Sequence, residues 1–275
     1  LTHSICDNMK IFLFLLLAHV SSFIVPNKMF PMSRHQMVQT TERSSESLNE
    51  VLDGGDSPKR ISTKEPSFNK SLVDILKGML DLYYGDRDFA RFYALETIAR
   101  VPYFSYLSVL HLYETLGWWR KANYLKIHFA ESWNELHHLL IMEELGGNKN
   151  FGDRWLAQHA AFFYYWIVCT IYALSPQNAY NLNQHVEEHA FSTYDKFLKE
   201  KEVELKAQEA PPTAIKYYSE DKLYVFNNLH NSDMTFEEID KKRPTINSLY
   251  DVFVCIRNDE GEHAKTMEAM QVEDF

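Results

Sequence analysis

Residues 130–147 read AESWNELHHLLIMEELGG. The tract closes a helical pattern that runs over 119–145, and Gly146-Gly147 is its stop signal. Glu135 and His138 stand three apart. Positions i and i+3 of a helix point the same way, so one metal ion could meet a carboxylate and an imidazole together. RNDEGEH at 257–263 repeats the spacing with Glu260 and His263. Of 12 histidines, only these two follow a glutamate by three positions. A single pair is about what composition supplies, and a solvated Glu/His pair on a helix surface explains it better. Two pairs in helical segments, joined by Glu96 in ALET and Glu187 in VEEHA, carry more weight. One glutamate from each of two helices, with Glu-x-x-His from each of two others, is the ligand pattern of di-iron carboxylate bundles.

The residue types suit that chemistry. Carboxylates are hard donors that bind and bridge iron, and imidazole completes each ion while leaving positions open. Four buried carboxylates without compensation would repel one another and take up protons. Two cations supply the missing charge.

Working outward, the chain reads as helix after helix. Apolar residues recur at Leu72, Ile75, Leu76, Met79, Leu80, Leu82 and Tyr83, an amphipathic stretch. A long helical pattern runs from Asp86 to about Gly117, with a kink expected near Pro102. Residues 151–174 are the most apolar and end in AFFYYWIVCTIYAL before Ser175-Pro176. That run is too short to span a bilayer. Residues 178–202 and Ile246 to about Met270 complete the set, and Pro211-Pro212 and the Asn-rich stretch near 227–233 read as loops. The expected fold is all-α, a ferritin-like four-helix bundle with short membrane-surface helices.

Composition narrows the function. Thirty-eight acidic against 28 basic residues give a net charge of -10, the wrong sign for a nucleic-acid binder. Three cysteines exclude a disulfide framework and a cysteine-based zinc site. Sixteen Tyr and 18 Phe point to large apolar faces, as at a membrane interface. From Met9 the sequence MKIFLFLLLAHVSSF has the layout of a secretory signal peptide, and a polar tract follows over roughly 27–66. Residues 1–68 therefore read as presequence and linker, and 69–275 as the functional domain.

The words around the four elements carry a resemblance. FARFYALETIARVP (89–102), AESWNELHHLLIMEELGG, VEEHAFSTYDKF (186–197) and RNDEGEH together resemble the alternative oxidase family over about residues 71 to 270. They look most like its plastid terminal oxidase branch, the plastoquinol oxidases. The mitochondrial branch has three consecutive glutamates where this chain has Glu187-Glu188-His189. Ser-Ser-Phe at 21–23 is similar to the junction of two-part plastid presequences.

The resemblance implies two irons held by Glu96, Glu135, His138, Glu187, Glu260 and His263, with Glu135 and Glu260 bridging. Glu188 competes with Glu187. Glu187 is preferred because it stands seven residues before Tyr194, the counterpart of the family's active-site tyrosine. Asn134 and Asp259 fit partners of the ligand histidines. Arg91 resembles the arginine that binds the quinone head, with Leu95, Ala99 and Thr193 lining the pocket. His189 replaces a pocket glutamate, and its role stays open, as does that of an insertion at 217–231. The implied reaction oxidises two plastoquinols and reduces O2 to two waters without pumping protons, as an electron sink in chlororespiration and carotenoid desaturation. The implied setting is the plastid thylakoid membrane, with the protein monotopic in one leaflet and paired as a homodimer. The rival readings are a mitochondrial-type ubiquinol oxidase, another di-iron oxygenase, an iron-storage bundle, and a non-catalytic membrane-surface protein.

Overall fold

Prolines and glycines set the helix boundaries in a computed structural model of the chain, which describes residues 67–118, 120–224 and 243–271. The expected signal peptide and polar tract fall outside these residues, and of the assigned presequence and linker over 1–68 only residues 67 and 68 are described. Among the described residues the secondary structure is helical throughout. The helices are α1 (Ser67–Tyr84), α2 (Asp88–Ala99), α3 (Val101–Thr115), α4 (Ala122–Glu144), α5 (Phe151–Leu174), α6 (Pro176–Lys206), α7 (Pro212–Glu220) and α8 (Leu249–Met270).

The pattern expected over 86–117 is two helices, α2 and α3. Pro102 lies in the first turn of α3, and its ring excludes the carbonyl of residue 98 from a continuous ladder. Pro176 and Pro212 also open helices, where a missing N–H costs nothing. Pro212 corrects the expectation of a loop there: it starts α7, and the first part of the expected insertion, Tyr217–Glu220, is helical. Gly146 ends α4 with φ +84. Gly147 then lies so close to α2 that a Cβ would come within 2.3 Å of the Phe89 carbonyl oxygen. Asn150 caps α5 by accepting from the Gly152 N–H, and Ser248 with Asp251 forms a capping box on α8.

The fold is the all-α four-helix bundle of di-iron proteins, with α2, α4, α6 and α8 around the centre and α3 and α5 packed beside them. One apolar cluster gathers Phe92, Tyr194, Phe197 and Phe253 between α2, α6 and α8. The other gathers Tyr103, Tyr106, Tyr172 and Tyr180 between α3, α5 and α6. Between these layers the bundle encloses a polar middle. No described helix is long and apolar enough to cross a membrane.

Candidate metal centre

Four helices each turn acid into that middle. Glu96 comes from α2, Glu135 and His138 from α4, Glu187 from α6, and Glu260 and His263 from α8. None of the six is more than 2% exposed. They fall into two donor sets, each with its ligand atoms within 4.8 Å of one another: Glu96, Glu135, His138 and Glu260, and Glu135, Glu187, Glu260 and His263. Glu135 and Glu260 belong to both sets, so two ions placed in them would share those carboxylates.

The donor atoms converge on these two positions. Both carboxylate oxygens of Glu135 and of Glu260, Oε2 of Glu96 and Oε2 of Glu187 are buried without a hydrogen-bond partner. Nδ1 of His138 is 3.1 Å from Glu260 Oε1 but makes no hydrogen bond. Nδ1 of His263 is 2.9 Å from Glu135 Oε1. Orphaned buried acceptors are costly, and a cation satisfies all of them at once. The residues present therefore fit a pair of divalent or trivalent ions.

The outer carboxylates are held in mirrored fashion. The Tyr194 hydroxyl donates to Glu96 Oε1, and the Tyr103 hydroxyl donates to Glu187 Oε1 at 2.7 Å. Each leaves the carboxylate's other oxygen turned inward. Tyr103 had no signal in the sequence, because its contact spans 84 positions. Glu188, the competitor of Glu187, faces outward instead and pairs with Gln184 and His185.

Electrostatics match the geometry. Burial first, then the neighbouring glutamates, pushes Glu135 and Glu260 well above the ordinary carboxylate range. Burial raises Glu187 as well, against the lowering effect of His263. Burial depresses His138, but its contacts with Asp259 and the glutamates outweigh that and lift it to about 10. Without an ion, the centre retains protons that an ion would displace.

Asp259 Oδ2 lies 3.2 Å from His138 Nε2, the nitrogen facing away from the centre. Asn134 donates to Asp259 at 3.1 Å and to the Tyr217 hydroxyl at 2.8 Å. It meets the histidine only through Asp259. A second buried pair sits one turn earlier on α4, where His128 Nδ1 is 3.2 Å from Glu131 Oε2 and His128 Nε2 is 2.9 Å from the Tyr180 hydroxyl. This is the same i, i+3 spacing in reversed order, so the sequence did hold a signal for it.

Of the expected head-group residues, Leu95 and Ala99 are buried on α2 near Glu96. Arg91 is paired with Asp81 of α1 at 3.2 Å and with Asp88 at 3.5 Å. The Thr193 hydroxyl donates to the His189 carbonyl. Burial and Lys77 bring His189 down to about 4, so its ring is neutral.

The sequence matches the family described as alternative oxidase over residues 46–272. The chain belongs to the alternative oxidase family. It is 56% identical over 207 residues to ubiquinol oxidase 4, chloroplastic/chromoplastic, of Arabidopsis thaliana, covering 75% of this chain and 58% of that protein. It is 28% identical over 209 residues to the mitochondrial ubiquinol oxidase 2 of the same plant, covering 75% and 51%. Against the mitochondrial ubiquinol oxidase 2 of Glycine max it is 29% identical over 194 residues, covering 70% and 50%. The chain thus spans between half and 58% of the length of these relatives. Among alternative oxidases, its resemblance runs far more to the chloroplastic relative than to the mitochondrial ones.

Proposed function

We propose that this alternative oxidase is a di-iron plastoquinol:oxygen oxidoreductase of the plastid terminal type. The observation that carries the reading is the pair of buried donor sets sharing Glu135 and Glu260. Two quinols would give up four electrons and four protons, and one O2 would take them to become two waters. When bound, a pair of irons supplies the redox change and the Lewis acidity that O2 reduction needs.

The chain's own residues do the rest. Glu96, Glu135, His138, Glu187, Glu260 and His263 would hold the irons, and the surrounding bundle keeps bulk water from them. Tyr194 keeps its proton at Glu96 Oε1, since burial and that carboxylate raise its hydroxyl well above the ordinary value. It is therefore placed to pass a hydrogen to the centre. Arg91, Leu95, Ala99 and Thr193 would receive the quinol head, and Arg91 must loosen its pairing with Asp81 to do so. Neutral His189, beside Thr193, offers that head an acceptor rather than a charge.

Plastid placement rests on the chloroplastic relative, and the thylakoid surface follows from a quinol that resides in the bilayer. The exposed apolar residues of α1 and α5 support a monotopic seat in one leaflet, and α5 also supports pairing into a homodimer.

The test is oxygen uptake by detergent-solubilised protein, driven by short-tailed plastoquinol, with cyanide present to silence heme oxidases. Iron-dependent uptake is expected, and Glu135→Ala should abolish it. The same assay with ubiquinol decides the head-group preference, since the Arabidopsis relative is named a ubiquinol oxidase. A folded chain holding two irons but taking up no oxygen with either quinol would turn the reading toward a di-iron oxygenase.

A further inference from the structure

Helix α7 supplies none of the six donors, yet its hydroxyls reach the groups that set His138. Tyr217 and Tyr218 are 1% and 0% exposed. The Tyr218 hydroxyl donates to Asp259 Oδ2 at 3.1 Å. The Tyr217 hydroxyl accepts from Asn134 at 2.8 Å, and the other proton of that amide goes to the same Asp259 oxygen at 3.1 Å. His138 Nε2 is the third group on this oxygen, at 3.2 Å. One carboxylate oxygen thus faces three donors, which saturates it and leaves Asp259 a single orientation. That orientation fixes the tautomer of His138. Once the ring gives up its second proton to bind an ion, the remaining proton is held on Nε2 by Asp259, and Nδ1 is the atom that faces Glu96 and Glu260.

The helix is itself anchored. The Thr213 N–H donates to Glu144 of α4 at 3.1 Å. Arg243 clasps the Tyr218 and Asp221 carbonyls at 3.2 and 3.0 Å. The His137 ring stacks on Tyr217 with centroids 4.0 Å apart. Tyr217 also lines a 460 Å³ surface cavity together with Trp133, Lys216 and Asp221.

We propose that Tyr217 and Tyr218 are positioning residues for the His138 half of the centre, and that α7 is thereby a structural part of the metal site. The proposal rests on the di-iron reading above. Because, among the described residues, the Tyr217 and Tyr218 hydroxyls engage Asn134 and Asp259 on the His138 side, their loss should weaken one ion of the two.

The test loads the whole chain anaerobically with Fe(II) and follows iron release to bipyridine. Wild type should hold two irons per chain. In Tyr218→Phe, one iron should leave at least about tenfold faster while the other keeps its wild-type rate. Tyr217→Phe should accelerate the same iron by less. Tyr106→Phe is the control, because it removes a buried hydroxyl that donates to the Ala179 carbonyl, remote from α7. Equal acceleration of both irons, no acceleration, or the same effect in Tyr106→Phe would overturn the proposal. If Tyr218→Phe does not fold, Tyr217→Phe is judged by the same criterion. If neither folds without metal, the pair is a folding element and the proposal fails. A wild-type chain that binds no iron would instead overturn the di-iron reading, an outcome distinct from all of these.

Discussion

Without an ion, Glu135, Glu187 and Glu260 oppose the fold at neutral pH. Each has a folded-state pKa above the ordinary value of 4.5, by burial first, with the neighbouring glutamates adding to it at Glu135 and Glu260 and His263 opposing it at Glu187. Acids of this kind support the fold fully below about pH 4.5 and withdraw that support as pH climbs through their raised values. His138, lifted to about 10, acts in the same direction: its contribution is complete below its unfolded value of about 6.5 and fades toward 10. His263, pushed down by burial, acts the opposite way but is one group against four. Iron binds the deprotonated donors and reverses the trend. The rise in melting temperature produced by Fe(II) should therefore grow between about pH 5 and pH 8. Anaerobic thermal melts at three pH values, with and without Fe(II), measure it. A stabilisation that is flat across that range would mean the ion does not displace these protons.

At the scale of elements, legibility followed the length of the periodic signal. The positions of α4, α5 and α8 were readable because long apolar periods end at glycine, proline or a capping residue. Both Glu-x-x-His pairs were visible because each lies within one helix turn. Helix α7 was not readable: it has nine residues, and its opening Pro211-Pro212 resembles a loop. Tyr103, Tyr217 and Tyr218 were invisible as site residues because their partners lie 84, 83 and 41 positions away. Such contacts exist only once the helices have packed. Two glycines test the packing from opposite directions. Gly147→Ala would drive a Cβ within 2.3 Å of the Phe89 carbonyl and 2.8 Å of Tyr93, where backbone must shift. It should cost about 2 kcal/mol or more in urea unfolding. Gly78, inside α1, has nothing within 4 Å of the same atom. Gly78→Ala should stabilise by about 0.5–1 kcal/mol, through better helix propensity. A neutral Gly147→Ala would show that the α2–α4 approach holding Glu96 against Glu135 is looser than the structure has it.

At the scale of the molecule, the exposed large apolar residues among the described ones are most numerous on α1 and α5, with isolated ones on α3, α4, α6 and α7. Arg87, just past α1, bonds buried Asp153 of α5 at 2.6 Å and lies over the Tyr83 and Tyr84 rings. Around it, Leu82 and Tyr83 are exposed on α1, and Phe151 and Trp155 on α5. Further along α5, Phe162, Phe163, Trp166 and Ile167 are each more than half exposed. Trp and Tyr at the rim and aliphatic groups within are what an interfacial seat requires. The proposed quinol, with its isoprenoid tail, would give this face a purpose, because the α1 end of the band carries Asp81, the partner of Arg91. The proposed membrane seating and the proposed pairing of copies can be tested separately. Leu82, 88% exposed, lies on α1 away from the long aromatic face of α5. Leu82→Glu should lower co-flotation with liposomes and leave the oligomeric state unchanged. Phe163→Glu, at a site 62% exposed within the α5 face, should lower co-flotation and also split the proposed dimer in detergent. Flotation measures the first property and sedimentation the second. If Leu82→Glu floats like wild type, α1 does not enter the leaflet, and the proposed quinol approach to Arg91 along α1 fails.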